Sequence, residues 1–227
     1  MREVRFHIHR KSAFAGALLP YRMYINGQYI GTIRNGKSLD ANVPKAGVYY
    51  IEDDILFSRN AMIYDNGLSE YSVVIKRAGG WRTESYNEFY MEKGNVLEQL
   101  PSFHWEKLFE LQQSMSQSER LLALSVEFWM SAMDDLQEVL ASEHLFEIIA
   151  ALQTIGAHKY HDLLLKIMND DFTDVRFPLD DNQIEQMQPK IEDANRAFWK
   201  NKGAEAEFRG AVTNFLLTNP ECFWPRF

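Results

Sequence analysis

The apolar residues of this chain change period part-way along it, and a chain that does so cannot fold as one uniform element class. Over the first ~90 residues the spacing is two. Val4, Phe6 and Ile8 alternate with Arg5, His7 and His9, as on a strand with one buried face. Tyr21 to Ile25 runs into Asn26-Gly27, and Gln28 to Ile33 follows. Asn-Gly between two such runs is a hairpin signal, because both residues tolerate positive φ. Asn35-Gly36 repeats the signal before Lys37 to Val43, and Gly47 to Ile51 and Tyr71 to Ile75 are further β-branched and aromatic runs. Turn residues recurring at this interval predict an antiparallel sandwich or barrel.

Near Gly94 the spacing becomes helical. Leu121, Leu124, Phe128, Ala132, Leu136 and Val139 form one stripe. Leu145, Ile148, Ile149, Leu152 and Ile155 form another. Ser116 with Glu119 reads as a capping box, Gly156 as a helix end, and Asp180 with Gln183 as the start of a further helix. Tyr160, Leu163, Leu164 and Ile167, then Ile184, Met187, Ile191 and Ala194, then Phe208, Val212, Phe215 and Leu216 complete the set, with Asn219-Pro220 as the stop. The expected fold class is α+β in two domains: a β-sandwich over 1–92 and an all-α bundle of five or six helices over 102–227. The linker, about 93–101, is apolar. Leu97, Leu100 and Phe103 are its candidate packing residues.

Charge divides at the same place. Residues 1–90 carry 12 Lys/Arg and 9 Asp/Glu, a balance of +3, and residues 91–227 carry 12 and 23, a balance of −11. An acidic chain is a poor direct binder of nucleic acid, since phosphate neutralisation requires clustered cations. No window of about 18 apolar residues marks a membrane span. The N-terminus alternates like a strand from its first residues and carries no signal-peptide core. One cysteine, Cys222, excludes an internal disulfide. A cytoplasmic location is expected.

Chemical motifs are sparse. No nucleophile elbow, P-loop, dinucleotide fingerprint or C-x-x-C pair occurs. His158 and His161 at i, i+3, followed by Asp162, and His7 with His9 on one strand face are two spacings that a metal site would use. Both are read as surface histidines, and no cofactor or metal is expected. Acidic residues form the more pointed set: Asp134, Asp135 and Glu138 within about one turn, Glu143 and Glu147 at i, i+4, Asp170, Asp171 and Asp174 in a loop, and Asp180-Asp181 at a helix start. Like charges at this spacing repel by a few tenths of a kcal/mol per pair. The first eight are the candidate partner-binding residues. Phe103, Trp105, Phe109, Phe128 and Trp129 are assigned to the core, and Gly79-Gly80-Trp81 to a turn. The terminal Phe223-Trp224-Pro225-Arg226-Phe227 is expected to dock on the chain or on a second copy, which is compatible with a homodimer.

Two resemblances add to this. Ala150-Ala151-Leu152-Gln153-Thr154-Ile155-Gly156-Ala157, Leu163 to Met168, Pro178-Leu179-Asp180 and Asn214 to Phe223 resemble a bacterial family of helical domains of unknown function that includes a DNA-mimic protein. The resemblance covers about 118–223. It implies acidic side chains that imitate phosphates and occupy a transcription regulator. Met23 to Gly36, followed by Val43-Pro44-x-x-Gly47, resembles a PEGA-type β-sandwich, an accessory module without catalytic residues. The expected function is therefore a non-enzymatic interaction protein with a basic protein partner. A toxin-immunity protein fits the same charge pattern, and a small-ligand or carbohydrate-binding protein built on the β-sandwich is the alternative.

Overall fold

The structure, a computed structural model, describes residues 2–13, 19–53, 60–78, 86–100, 115–201, 203–219 and 222. The chain is α+β, with sheets in its N-terminal part and helices in its C-terminal part. It divides into two compact units, 1–107 together with 216–227, and 108–215. Phe103, Trp105, Phe109, the Gly79-Gly80-Trp81 turn and Phe223 to Phe227 lie outside the described residues.

The strands are β1 (Glu3–Arg10), β2 (Tyr21–Ile25), β3 (Gln28–Ile33), β4 (Ser38–Pro44), β5 (Val48–Glu52), β6 (Ala61–Tyr64), β7 (Glu70–Ala78), β8 (Tyr86–Lys93) and β9 (Val96–Gln99). They form two open sheets, ordered β4-β1-β7-β8-β9 and β3-β2-β5-β6. Side chains from both sheets share one core. Val4, Phe6, Ile8, Tyr71, Val73, Ile75 and Phe89 come from the first sheet, and Tyr21, Met23, Ile25, Tyr49, Ile51 and Ile63 from the second. Phe6 lies 5.0 Å from Tyr49 and 5.2 Å from Tyr71, ring centre to ring centre. Such aromatic contacts add to the burial of area itself.

Two expectations are corrected. The first sheet is mixed, not antiparallel, because β1 pairs with β7 in parallel, Phe6 opposite Tyr71 and Ile8 opposite Val73. The long excursion between them, through β2 to β6, replaces the tight turn that only an antiparallel pair can use. The two Asn-Gly turns also differ. Asn26 (φ 49°) and Gly27 (φ 75°) close a true hairpin between β2 and β3. After Asn35-Gly36 the chain leaves one sheet for the other, with only Gly36 at positive φ. The Asn35 amide is bound to both the N–H and the C=O of Ala13, at 3.0 Å each, which fixes the crossing. The segment read as a linker, 93–101, carries β9, paired with β8, and Leu100 belongs to the sheet core.

Among the described residues the helices are α1 (Gln117–Asp134), α2 (Leu136–Leu140), α3 (Leu145–Ile155), α4 (His158–Lys166), α5 (Asp181–Trp199) and α6 (Ala204–Thr218). The capping boxes at Ser116/Glu119 and Asp180/Gln183 are both formed, and Gly156 ends α3 in the left-handed conformation at φ 92°. The N-terminus of α4 has no local cap. Glu207, from α6, accepts its Lys159 N–H at 2.7 Å and does that work from a distance in sequence. Phe128, Tyr160, Phe198 and Phe208 form an aromatic cluster, with Phe128 5.2 Å from Tyr160 and 5.5 Å from Phe208. Burial pushes the Tyr160 phenol up to about 12. α5 runs through Pro189, which its apolar stripe overrides. No helix among the described residues is long and apolar enough to cross a membrane.

Phe128 is fully buried at the centre of this cluster. Phe128→Ala leaves a cavity among three rings, and urea denaturation should show a loss of about 3–5 kcal/mol. A loss below about 1 kcal/mol would show that the ring is not part of a packed core.

Candidate functional site

The eight acidic residues do not behave alike, and helix capping is what separates them. Asp134 is the last residue of α1 and is exposed. Asp135 breaks the helix at φ −165°, ψ 148°, and its carboxylate accepts the Gln137 N–H at 3.0 Å as the cap of α2. An aspartate gains more by capping than by continuing a helix, so Asp134, Asp135 and Glu138 do not share one continuous turn. Glu138 is exposed in the first turn of α2. Glu143 sits in the turn before α3 with its side chain 88% exposed.

Glu147 is set apart. It reaches across from α3 to α1 and pairs with Arg120, whose Nε lies 3.1 Å from its Oε2. The pair borders a mostly apolar groove lined by Leu121, Leu124, Ala150 and Ala151. Glu143 and Glu147 therefore do not act as one acidic pair.

Asp170 and Asp171 belong to a π-helical turn, Ile167–Asp171, that continues α4. They line a cavity of about 320 Å³ with Lys190, Asp193 and Ala197. Lys190 Nζ donates to the Asp171 carbonyl at 3.4 Å, and Asp193 pairs with Arg196, so the cavity is not purely anionic. Asp174 is exposed at φ 67°, a left-handed position that Asp accepts more readily than most residues.

One backbone bond brings the two acidic stretches together. Leu179 N–H donates to the Leu140 carbonyl at 3.0 Å, and both side chains are buried. The bond sets Leu140, close in sequence to Glu138 and Glu143, beside Leu179, which directly precedes Asp180 and Asp181. Asp180 caps α5 by accepting the Gln183 N–H at 2.8 Å. Among the described residues, Asp134, Glu138, Asp170, Asp171 and Asp174 make no ion pair with Lys, Arg or His.

Of the four histidines in the two metal-like spacings, His158 is exposed and the other three have separate polar partners. His7 Nδ1 donates to the Asp40 carboxylate at 2.9 Å, and His9 Nδ1 lies 3.0 Å from Ser38 Oγ. His161 Nδ1 lies 2.8 Å from Asp162. No group of three or more His, Cys, Asp or Glu among the described residues has metal-binding geometry. Sequence reasoning passed over a Glu127, Ser142 and His144 cluster. Ser142 Oγ donates to Glu127 at 2.7 Å, and His144 Nδ1 lies 3.0 Å from the same carboxylate. The hydroxyl faces the carboxylate and not an imidazole nitrogen, which is the wrong order for an activated nucleophile.

A polar row at one end of the sheet core was also missed. Arg10 is 3% exposed, and its guanidinium lies 3.7 Å over the Tyr21 ring while donating to the Leu19 carbonyl at 2.6 Å. Arg77 Nη1 donates to Tyr21 Oη at 3.2 Å. Asn87, opposite Arg77 on β8, donates to Asp53 at 2.6 Å. The signal was available: Arg10, Arg77 and Asn87 continue the inward-facing alternation of β1, β7 and β8.

Comparison of the chain with protein-family models, with curated proteins and with solved structures finds no match in any of the three.

The Asp40 carboxyl is held below its ordinary value of 3.8, first by the hydrogen bond from His7 and then by the charges of Arg5 and His7. A lowered carboxyl stabilises the fold at neutral pH, and that contribution disappears as pH falls through the lowered value. His7→Phe should raise the Asp40 midpoint toward 3.8 in an NMR titration of its carboxyl carbon. An unmoved midpoint would show that His7 does not hold it. In a separate test, Asp180→Ala removes the α5 cap and should cost about 1 kcal/mol in denaturation.

Proposed function

We propose that the helical unit is a protein-interaction module whose acidic surface takes a basic protein partner. The observation that carries the reading is the Leu179 to Leu140 backbone bond. It sets two acidic stretches, about forty residues apart in sequence, side by side. The lack of an ion pair, among the described residues, for the side chains of Asp134, Glu138, Asp170, Asp171 and Asp174 supports it. Glu147 is excluded from the surface because Arg120 neutralises it, and Asp181 joins it.

Fixed carboxylates at such spacing steer a cationic surface into place and repel acidic competitors, more than they add affinity. A DNA-binding regulator is a partner of the required charge, and the surface then acts on it as a DNA mimic. A basic toxin would be met by the same chemistry. In this reading the helices form a bundle, the two sheets form an accessory sandwich, the protein is not an enzyme, and it works in the cytoplasm.

Quantitative pull-down at low and high salt tests this. The partner should be retained at low salt and lost at high salt, because exposed charges are screened beyond a Debye length. Changing Asp134, Glu138, Asp170 and Asp171 to the neutral amides should weaken capture by about tenfold or more at low salt. Capture that ignores both salt and these substitutions would overturn the reading. Competition by a DNA duplex would identify the partner as a DNA binder.

A further inference from the structure

We propose that Asn66, in the turn between β6 and β7, is a self-modification site. Its side-chain amide is lost to attack by the Gly67 nitrogen, with Asp65 and Tyr71 assisting, and aspartate or isoaspartate takes its place. The site belongs to the strand unit and does not rest on the acidic-surface reading.

The chain has three Asn-Gly pairs, Asn26-Gly27, Asn35-Gly36 and Asn66-Gly67. Glycine has no Cβ to shield its main-chain nitrogen, so all three pairs have the same intrinsic chemistry. The fold separates them. Asn26 Nδ2 donates to the Val48 carbonyl at 3.0 Å, and its Oδ1 accepts the Tyr50 N–H at 2.6 Å. The Asn35 amide is held on both sides by Ala13. Either amide has to break two hydrogen bonds before its carbon can turn toward the glycine nitrogen. Asn66 is exposed, and among the described residues its Nδ2 makes no hydrogen bond. Nothing lies within 4 Å of where a Cβ on Gly67 would stand, so a new ring has room and water can reach it.

The neighbours of Asn66 supply the proton transfers. Gly67 N–H donates to Asp65 Oδ1 at 3.0 Å. The hydrogen bond from Tyr71 holds the Asp65 carboxyl below its ordinary value of 3.8, so at neutral pH it is a carboxylate able to accept that proton. Tyr71 Oη lies 2.9 Å from Asp65 Oδ1 and 3.0 Å from Asn66 Oδ1, and its single proton can go to either. As Asp65 takes the Gly67 proton its charge falls, and the phenol turns to the Asn66 oxygen, where negative charge develops. Stacking on Phe6 fixes the Tyr71 ring for this role. The Gly67 nitrogen forms a bond to Asn66 Cγ and gives up its proton through Asp65. The Cγ–Nδ2 bond breaks, and Nδ2 leaves with that proton as ammonia. A cyclic imide remains. Water adds to one of its two carbonyl carbons and opens the ring, to aspartate or isoaspartate. Nothing is oxidised or reduced. The product places a new negative charge beside Asp65. The isoaspartate form also lengthens the main chain where the Asn66 N–H donates to Tyr71 Oη at 3.2 Å, which loosens the turn from the core.

The test ages the full chain in mildly alkaline buffer, folded and, in parallel, unfolded in urea. Peptide mapping by mass spectrometry follows conversion of amide to acid at each Asn-Gly pair, and enzymatic methylation counts isoaspartate. In urea the three pairs should convert at similar rates. In the folded chain Asn66 should convert about tenfold or more faster than Asn26 and Asn35. Tyr71→Phe keeps the ring and removes the hydroxyl. It should slow Asn66 in the folded chain and leave the rate in urea unchanged. Folded-state conversion at Asn66 that is no faster than at Asn26 and Asn35 overturns the inference. So does a folded Tyr71→Phe that converts at the wild-type rate or above it. If that variant fails to fold, Asp65→Ala, which removes the proton acceptor, takes its place with the same two outcomes.

Discussion

Phe6 holds the strand unit together. Its ring stands edge-on to Tyr49 of the other sheet and stacks on Tyr71 of the neighbouring strand. Two open sheets with a buried face each are stable only when those faces cover one another. The parallel pairing of β1 with β7 follows from the same contact, since it places Phe6 directly opposite Tyr71. Both edges of the polar row, Arg10 on β1 and Arg77 on β7, are then carried to the same end of the core. The hydroxyl of Tyr71 is tied as well. It reaches Asp65 at 2.9 Å and Asn66 at 3.0 Å, so the turn before β7 is fastened to the core residue that follows it.

In the helical unit, capping does what sheet pairing does in the strand unit. Asp135 ends one helix and starts the next within a single residue. Asp180 starts α5, and Glu207 closes the exposed N-terminus of α4 from another helix. Each places a carboxylate against backbone N–H groups, where the helix dipole favours it. The cost is that capping acids are committed to the fold. The acidity of this unit therefore has two components: residues that hold helices in place, and residues such as Asp134, Glu138 and Asp174 that present charge to solvent.

The first component belongs to the stability of the fold, and the second to the surface proposed for a partner. The proposed acidic surface depends on a backbone bond between buried leucines, which brings Leu140 and the Asp180 helix start together. The arginine row depends on buried polar groups that the core has to accommodate. Charge at a solvated surface acts at a distance and yields to salt, whereas a buried polar contact acts only on what touches it.

Much of the architecture was legible from residue spacing. The limits of β2 and β3, the alternation of β1, the capping boxes and the left-handed Gly156 are local properties, set by side-chain period, turn chemistry and hydrogen bonds within a few residues. The acidic residues were legible as composition. Which of them were spoken for was not, because Arg120 lies on another helix from Glu147 and the bond between Leu179 and Leu140 spans two distant segments. β6, β8 and β9 were not read as strands, and Asn35-Gly36 looked like a hairpin, because pairing partners and sheet membership depend on contacts far apart in sequence. The sequence by itself determined the division into strands and helices and where its acid is concentrated, since period and charge are counted along the chain. Only the tertiary structure decided the mixed sheet, the meeting of Arg10 and Arg77 at Tyr21 and the pairing of Glu147, since burial and hydrogen bonding are settled between residues that the chain itself keeps apart.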